Sequence, residues 1–232
     1  LMLTKSFEIA KLLISKGAKI NIRIKDTNNS TLLMKNSYSK EITELLIQNG
    51  ANINEKNKIG WTALTCMVSL RKIEIVELLL KYGADINVLD DYGNTLLMLT
   101  DYIEMAELLI KNNININLQN NEGKSALMLS KSKEMTELLI KNGADINLRD
   151  NNDLTALFLT HNKEIAKLLI KNKAEANIKD KNANNIFMQL SVLRDKEFFE
   201  LFINNGFDIN AKTTESKTPL IIAVEIDNLE LV

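Results

Sequence analysis

One cysteine, one proline, one histidine and one tryptophan stand in 232 residues: Cys66, Pro219, His161 and Trp61. A single cysteine excludes an internal disulfide framework and fits a reducing compartment, so a cytoplasmic setting is expected. One histidine leaves only His161 for any Ser-His-Asp or Cys-His arrangement, and no Cys and His spacing suits a metal. The 8 glycines stand mostly at helix ends and turns and form no phosphate-cradling loop. One proline leaves no room for a Pro-rich linker. No apolar run approaches the ~18 residues that span a bilayer. A net charge of -1 offers no surplus of cations for nucleic acid or an anionic membrane. These absences point away from an enzyme and away from any cofactor. What remains, 45% hydrophobic and 25% charged, is the composition of a folded soluble protein.

The sequence has repetition instead. Residues 134–147 read E-M-T-E-L-L-I-K-N-G-A-D-I-N, and close copies occupy 8–21, 41–54 and 74–87. Looser copies begin at Glu104, Glu164 and Glu197. The closing Asn falls at 21, 54, 87, 117, 147, 177 and 210, at intervals of 33, 33, 30, 30, 30 and 33. A period in that range marks a stacked-repeat protein, whose core is shared between neighbours rather than central. The boundaries fall at 1–25 (a partial unit), 26–56, 57–89, 90–119, 120–149, 150–179, 180–212 and 213–232 (a second partial unit), within a single repeat domain over 1–232. Residues 1 and 232 both fall inside a unit, so the sequence reads as a segment of a longer chain.

Each unit reads as a loop, a short helix, a turn and a longer helix. In 134–141, Met135, Leu138, Leu139 and Ile140 lie at helical spacing, with Glu134, Glu137 and Lys141 outside. Ser39, Ser132, Asn162, Asp195 and Asn228 stand two residues before the repeat Glu, where a side-chain oxygen caps free N–H groups. The Glu then lies in the first turn, favoured by the helix dipole. The stop is Gly at 17, 50, 83, 143 and 206, suited to a left-handed cap. Asn113 tolerates that conformation, whereas Lys173 fits it poorly and strain is expected there.

Two motifs at fixed spacing resemble the ankyrin repeat family over the whole chain. The family's opening T-P-L-H is approached by Thr218-Pro219-Leu220-Ile221. Looser forms are Thr62-Ala63-Leu64-Thr65, Thr95-Leu96-Leu97-Met98, Ser125-Ala126-Leu127-Met128 and Thr155-Ala156-Leu157-Phe158. The closing G-A-D-I-N is the better match. The resemblance implies an all-α solenoid of helix-turn-helix pairs linked by short β-hairpin loops, with a concave face used to bind other proteins. The family's His is replaced throughout, so its hydrogen-bonding role between units is expected to be lost and apolar filling by Met98, Met128 and Met188 to substitute.

Three units are short. The opening Thr and the repeat Glu are 12 residues apart in 57–89 (Thr62 to Glu74) and 9 apart in the next unit (Thr95 to Glu104). Three residues are a little under one helical turn. The first helix should therefore be clipped in 90–119, 120–149 and 150–179, with the stack continuing through them.

The residues that could carry chemistry have plainer readings. His161 falls in a surface turn at the end of a clipped helix. Cys66 falls at an apolar register position and reads as a small buried hydrophobe. The seven aligned Asn residues read as structural, each amide bonding backbone where the chain enters a loop. The loops themselves vary. Trp61 and Tyr92 are large aromatics beside Gly60 and Gly93, joined by Ile59, Leu89, Asp91 and Leu154. Two readings stand. They are anchors for a partner protein, or they pack on the neighbouring hairpin.

The reading is thus a non-catalytic, monomeric interaction scaffold for another protein. The alternative is a targeting or autoregulatory segment of a larger enzyme, channel or secreted effector.

Overall fold

A computed structural model describes residues 6–35, 39–175, 178–181, 183–186 and 196–225. The chain divides into two compact units, Leu1–Asn121 and Glu122–Val232.

The first unit contains α1 (Phe7–Ser15), α2 (Leu32–Lys35), α3 (Lys40–Gln48), α4 (Ala63–Ser69), α5 (Ile73–Lys81) and α6 (Ile103–Lys111). α1, α3, α5 and α6 form one row in which each helix packs on the next, while α2 and α4 pack together as a second row. The seam of the first row is made by small residues at one register: Ala10, Thr43, Val76 and Ala106 are fully or almost fully buried. Small side chains there let neighbouring helices approach. The leucines one turn on, Leu46, Leu79 and Leu109, are buried completely, and each such burial contributes roughly 2 kcal/mol. The buried Thr43 hydroxyl donates to the Ser39 carbonyl at 2.9 Å, so it costs little.

The second unit contains α7 (Ala126–Leu129), α8 (Lys133–Lys141), α9 (Ala156–Leu159), α10 (Lys163–Lys171), α11 (Lys196–Ile203) and α12 (Pro219–Glu225). α8 packs on α10 and α7 on α9. Thr136, Ala166, Leu139 and Leu169 occupy the same buried seam. Phe198, Phe202 and Phe207 form an aromatic cluster, the last pair edge-to-face with centroids 4.7 Å apart.

The clipping falls where the spacing places it. α4 runs seven residues, whereas α7 and α9 run four. In 90–119 the first helix shrinks further, to a turn at 96–99 held by Met98 N–H donating to Thr95 O and Leu99 N–H to Leu96 O. Within the second unit the stack passes through both of its clipped repeats.

The helix ends follow the sequence. Ser39 accepts from the Ile42 amide at 3.1 Å, Ser132 from Met135 at 3.1 Å, and Asn162 from Glu164 at 2.9 Å. Asp195 and Asn228 lie outside the described residues. Lys173 takes the left-handed conformation at φ 66°, like the glycines at its register.

The loops are hairpins by their turn bonding, but among the described residues they build no strand. A single antiparallel bridge joins Arg23 and Thr31. Elsewhere paired backbone bonds close the turns, as from Asn57 N–H to Trp61 O at 2.9 Å with Gly60 N–H to Asn57 O at 3.2 Å, or from Asp150 N–H to Leu154 O at 2.9 Å with Asp153 N–H to Asp150 O at 3.0 Å.

The residues at the family's His register bond within their own unit. The Met34 sulfur accepts from the Thr31 amide at 3.3 Å, and the Met98 sulfur from the Thr95 amide at 3.5 Å. Thr65 does the same for Thr62 through its hydroxyl at 3.3 Å. Each residue stands three after its N-cap, where a side-chain acceptor can reach back to the cap amide. Met128 is buried and Met98 half-buried; Met188 lies outside the described residues.

Candidate functional site

Three of the turns are each built around one side-chain oxygen. Asn57 Oδ1 accepts from Ile59 and Trp61 at 3.0 and 2.9 Å. Asp90 Oδ1 accepts from Tyr92 and Asn94 at 2.9 and 2.8 Å. Asp150 Oδ1 accepts from Asn152 and Leu154 at 2.8 and 3.0 Å. An Asn or Asp side chain at the head of a turn mimics a further turn of backbone and fixes it. These three residues are buried.

Successive turns are then tied to each other. In the first unit, Lys58 N–H donates to Asn28 O at 2.9 Å, Asp91 N–H to Ile59 O at 3.4 Å and Asn121 N–H to Tyr92 O at 3.0 Å. In the second, Asn151 N–H donates to Glu122 O at 3.0 Å and Lys181 N–H to Asn152 O at 3.4 Å. Within each unit a backbone ladder thus runs from turn to turn.

The closing asparagines add a second set of ties. The Asn21 amide donates to Gly50 O at 2.8 Å and its oxygen accepts from Asn52 N–H at 2.9 Å. Asn54 repeats the pair with Gly83 O and Asp85 N–H. They are structural, as the sequence suggests, but they bond the backbone of the following repeat rather than their own loop.

On this frame the first unit brings Ile59, Trp61, Leu89, Asp91 and Tyr92 together. Ile59, Trp61 and Leu89 are half-buried. Asp91 is exposed, and Tyr92 is 70% exposed although both its amide and its carbonyl are bonded. The Lys56 ammonium donates to Leu89 O at 2.7 Å, and Arg23 pairs with Glu55. Leu154 lies half-buried on its own turn in the second unit.

Sequence reasoning missed the exposed C-terminal end of α4. The extra residues of 57–89 prolong α4, and Leu70 beyond its end is exposed. Arg71 follows at φ 57°, its guanidinium 5.5 Å from the Tyr102 ring centroid and 2.6 Å from Asp101. The change in unit length at this point was the available signal.

The remaining candidates stay plain. His161 is exposed, its Nδ1 3.1 Å from Leu159 O. Cys66 is half-buried. Burial pushes its thiol up to about 11, Lys35 opposing and Asp26 assisting, so it stays neutral and unreactive at physiological pH. Among the described residues no three His, Cys, Asp or Glu side chains gather as a metal would require, and no helix is long and apolar enough to cross a membrane.

A family model described as ankyrin repeats, in three copies, matches residues 2–90, 33–120, 67–150, 97–180 and 156–232. No curated protein matches the chain.

Proposed function

Because the chain belongs to the ankyrin repeat family, we propose that it is a non-catalytic scaffold that binds a partner protein through its concave face and hairpin tips. Members of this family generally serve protein–protein interaction and are typically non-catalytic. The observation that carries the reading is Tyr92. Its ring is 70% exposed while its backbone is bonded on both sides. A large side chain held out on a fixed backbone loses little entropy on docking, so contact area translates into affinity. Trp61 and Tyr92 are the anchors. Ile59, Leu89 and Asp91 border them, and Leu154 is a separate candidate on the second unit's own turn.

The partner is a protein rather than nucleic acid or a membrane, in keeping with a net charge of -1. The single Cys66, neutral and unpaired with any other thiol, accords with the cytoplasm, where we place the protein, as a monomer. A benzophenone side chain at position 92 tests the surface. It should cross-link a distinct protein on illumination, while the same group at exposed Glu137 should not. Equal labelling from both positions would remove the hairpin tips as the site.

A further inference from the structure

We propose that the asparagine–glycine links 49–50, 142–143 and 205–206 are deamidation sites held shut by the helix ends they form. In this reaction the backbone nitrogen of the following residue attacks the side-chain amide carbon. A nitrogen–carbon bond forms, ammonia leaves, and water opens the five-membered imide to aspartate or isoaspartate. No oxidant or cofactor is required. Glycine at the following position obstructs the attack least.

The structure closes this route twice at each link. The Asn49 amide donates to Leu45 O at 2.8 Å, that of Asn142 to Leu138 O at 2.8 Å and that of Asn205 to Leu201 O at 2.7 Å. The attacking nitrogens are engaged as well: Gly50 donates to Ile47 O at 3.0 Å, Gly143 to Ile140 O at 3.1 Å and Gly206 to Ile203 O at 3.1 Å. Backbone ψ is 22° at Asn49 and 18° at Asn142, which turns the glycine nitrogen away from the side chain. Attack therefore requires the helix end to open first, an event governed by local rather than global stability.

Conversion has a direction. An aspartate cannot donate to the carbonyl one turn back, and its charge opposes the negative end of the helix dipole. Each event makes the next opening easier. Asn112 and Asn172 form the same cap, with amides 2.8 Å from Leu108 O and Leu168 O, but are followed by Asn113 and Lys173. They are built-in controls for the role of glycine.

The test is peptide mapping by mass spectrometry of the full chain held in mildly alkaline buffer, native and in unfolding urea. In urea the three asparagine–glycine links should convert well ahead of residues 112 and 172. In native buffer they should slow at least about tenfold. Leu46→Ala, which empties a fully buried position of α3, should raise the native rate at residue 49. If that variant does not fold, a urea titration of the unsubstituted chain replaces it, with the rate rising as the open fraction grows. Equal rates in native and unfolded chains, or a flat urea dependence, would overturn the proposal.

Discussion

Gly60 lies against Asp91. A methyl group on Gly60 would stand 2.5 Å from Asp91 Oδ1 and 2.6 Å from its amide nitrogen. The bond from Asp91 N–H to Ile59 O passes through the same place. The backbone of one hairpin thus runs so close to the next that a side chain has no room, and Gly93 against Asn121 repeats the contact.

Gly60→Ala is therefore expected to cost more than Gly50→Ala. Both glycines have positive φ, 75° and 88°, so each alanine loses about 1 kcal/mol on conformation alone. Nothing lies within 4 Å of a methyl at Gly50. At Gly60 the obstacle is backbone, and the total should reach about 2–3 kcal/mol. Urea unfolding midpoints of the two variants check the order.

Lys173→Gly should stabilise. Lys173 holds φ 66° after α10, and its amide donates to Ile170 O at 3.0 Å as the glycines do elsewhere. Relief of that conformation is expected to yield about 1 kcal/mol. An unchanged or lower melting temperature would show that the lysine is not strained.

The turn at Asp26 should give an acid-sensitive term. Its carboxylate pairs with Lys35 at 2.9 Å and accepts from the Ser30 amide at 2.9 Å. The Lys35 bond first, then that from Ser30, holds the carboxyl well below its ordinary 3.8. A depressed carboxyl contributes stability that is present above its unfolded value and lost as pH falls through the folded one. Between about pH 4 and about pH 2 the unsubstituted chain should lose stability faster than Asp26→Asn. Parallel urea midpoints across that range would contradict it.

Much of this was legible because the repeat states it seven times. The clipped helices followed from counting residues between Thr and Glu, and the caps from Ser39, Ser132 and Asn162. What escaped was long-range in sequence. Asn21 bonding Asn52, or Asp91 bonding Ile59, joins residues about thirty apart, and no local pattern within one unit announces which backbone a side chain will meet. The Asn or Asp at 57, 90 and 120 and the Gly three residues on were visible, but their purpose appears only when adjacent turns are laid side by side. Met34 and Met98 escaped for another reason: thioethers are weak acceptors, and apolar filling was the simpler expectation. Trp61 is half-buried and Tyr92 exposed, and the binding measurement below decides between the two readings.

The most direct measurement is the dissociation constant of the partner captured at position 92, for the unsubstituted chain and for Trp61→Ala with Tyr92→Ala. Helical content by circular dichroism must match between the two. Loss of two aromatic anchors should weaken binding at least about tenfold, or about 1.4 kcal/mol. An unchanged constant in a correctly folded double variant would contradict the assignment of the hairpin tips as the binding surface.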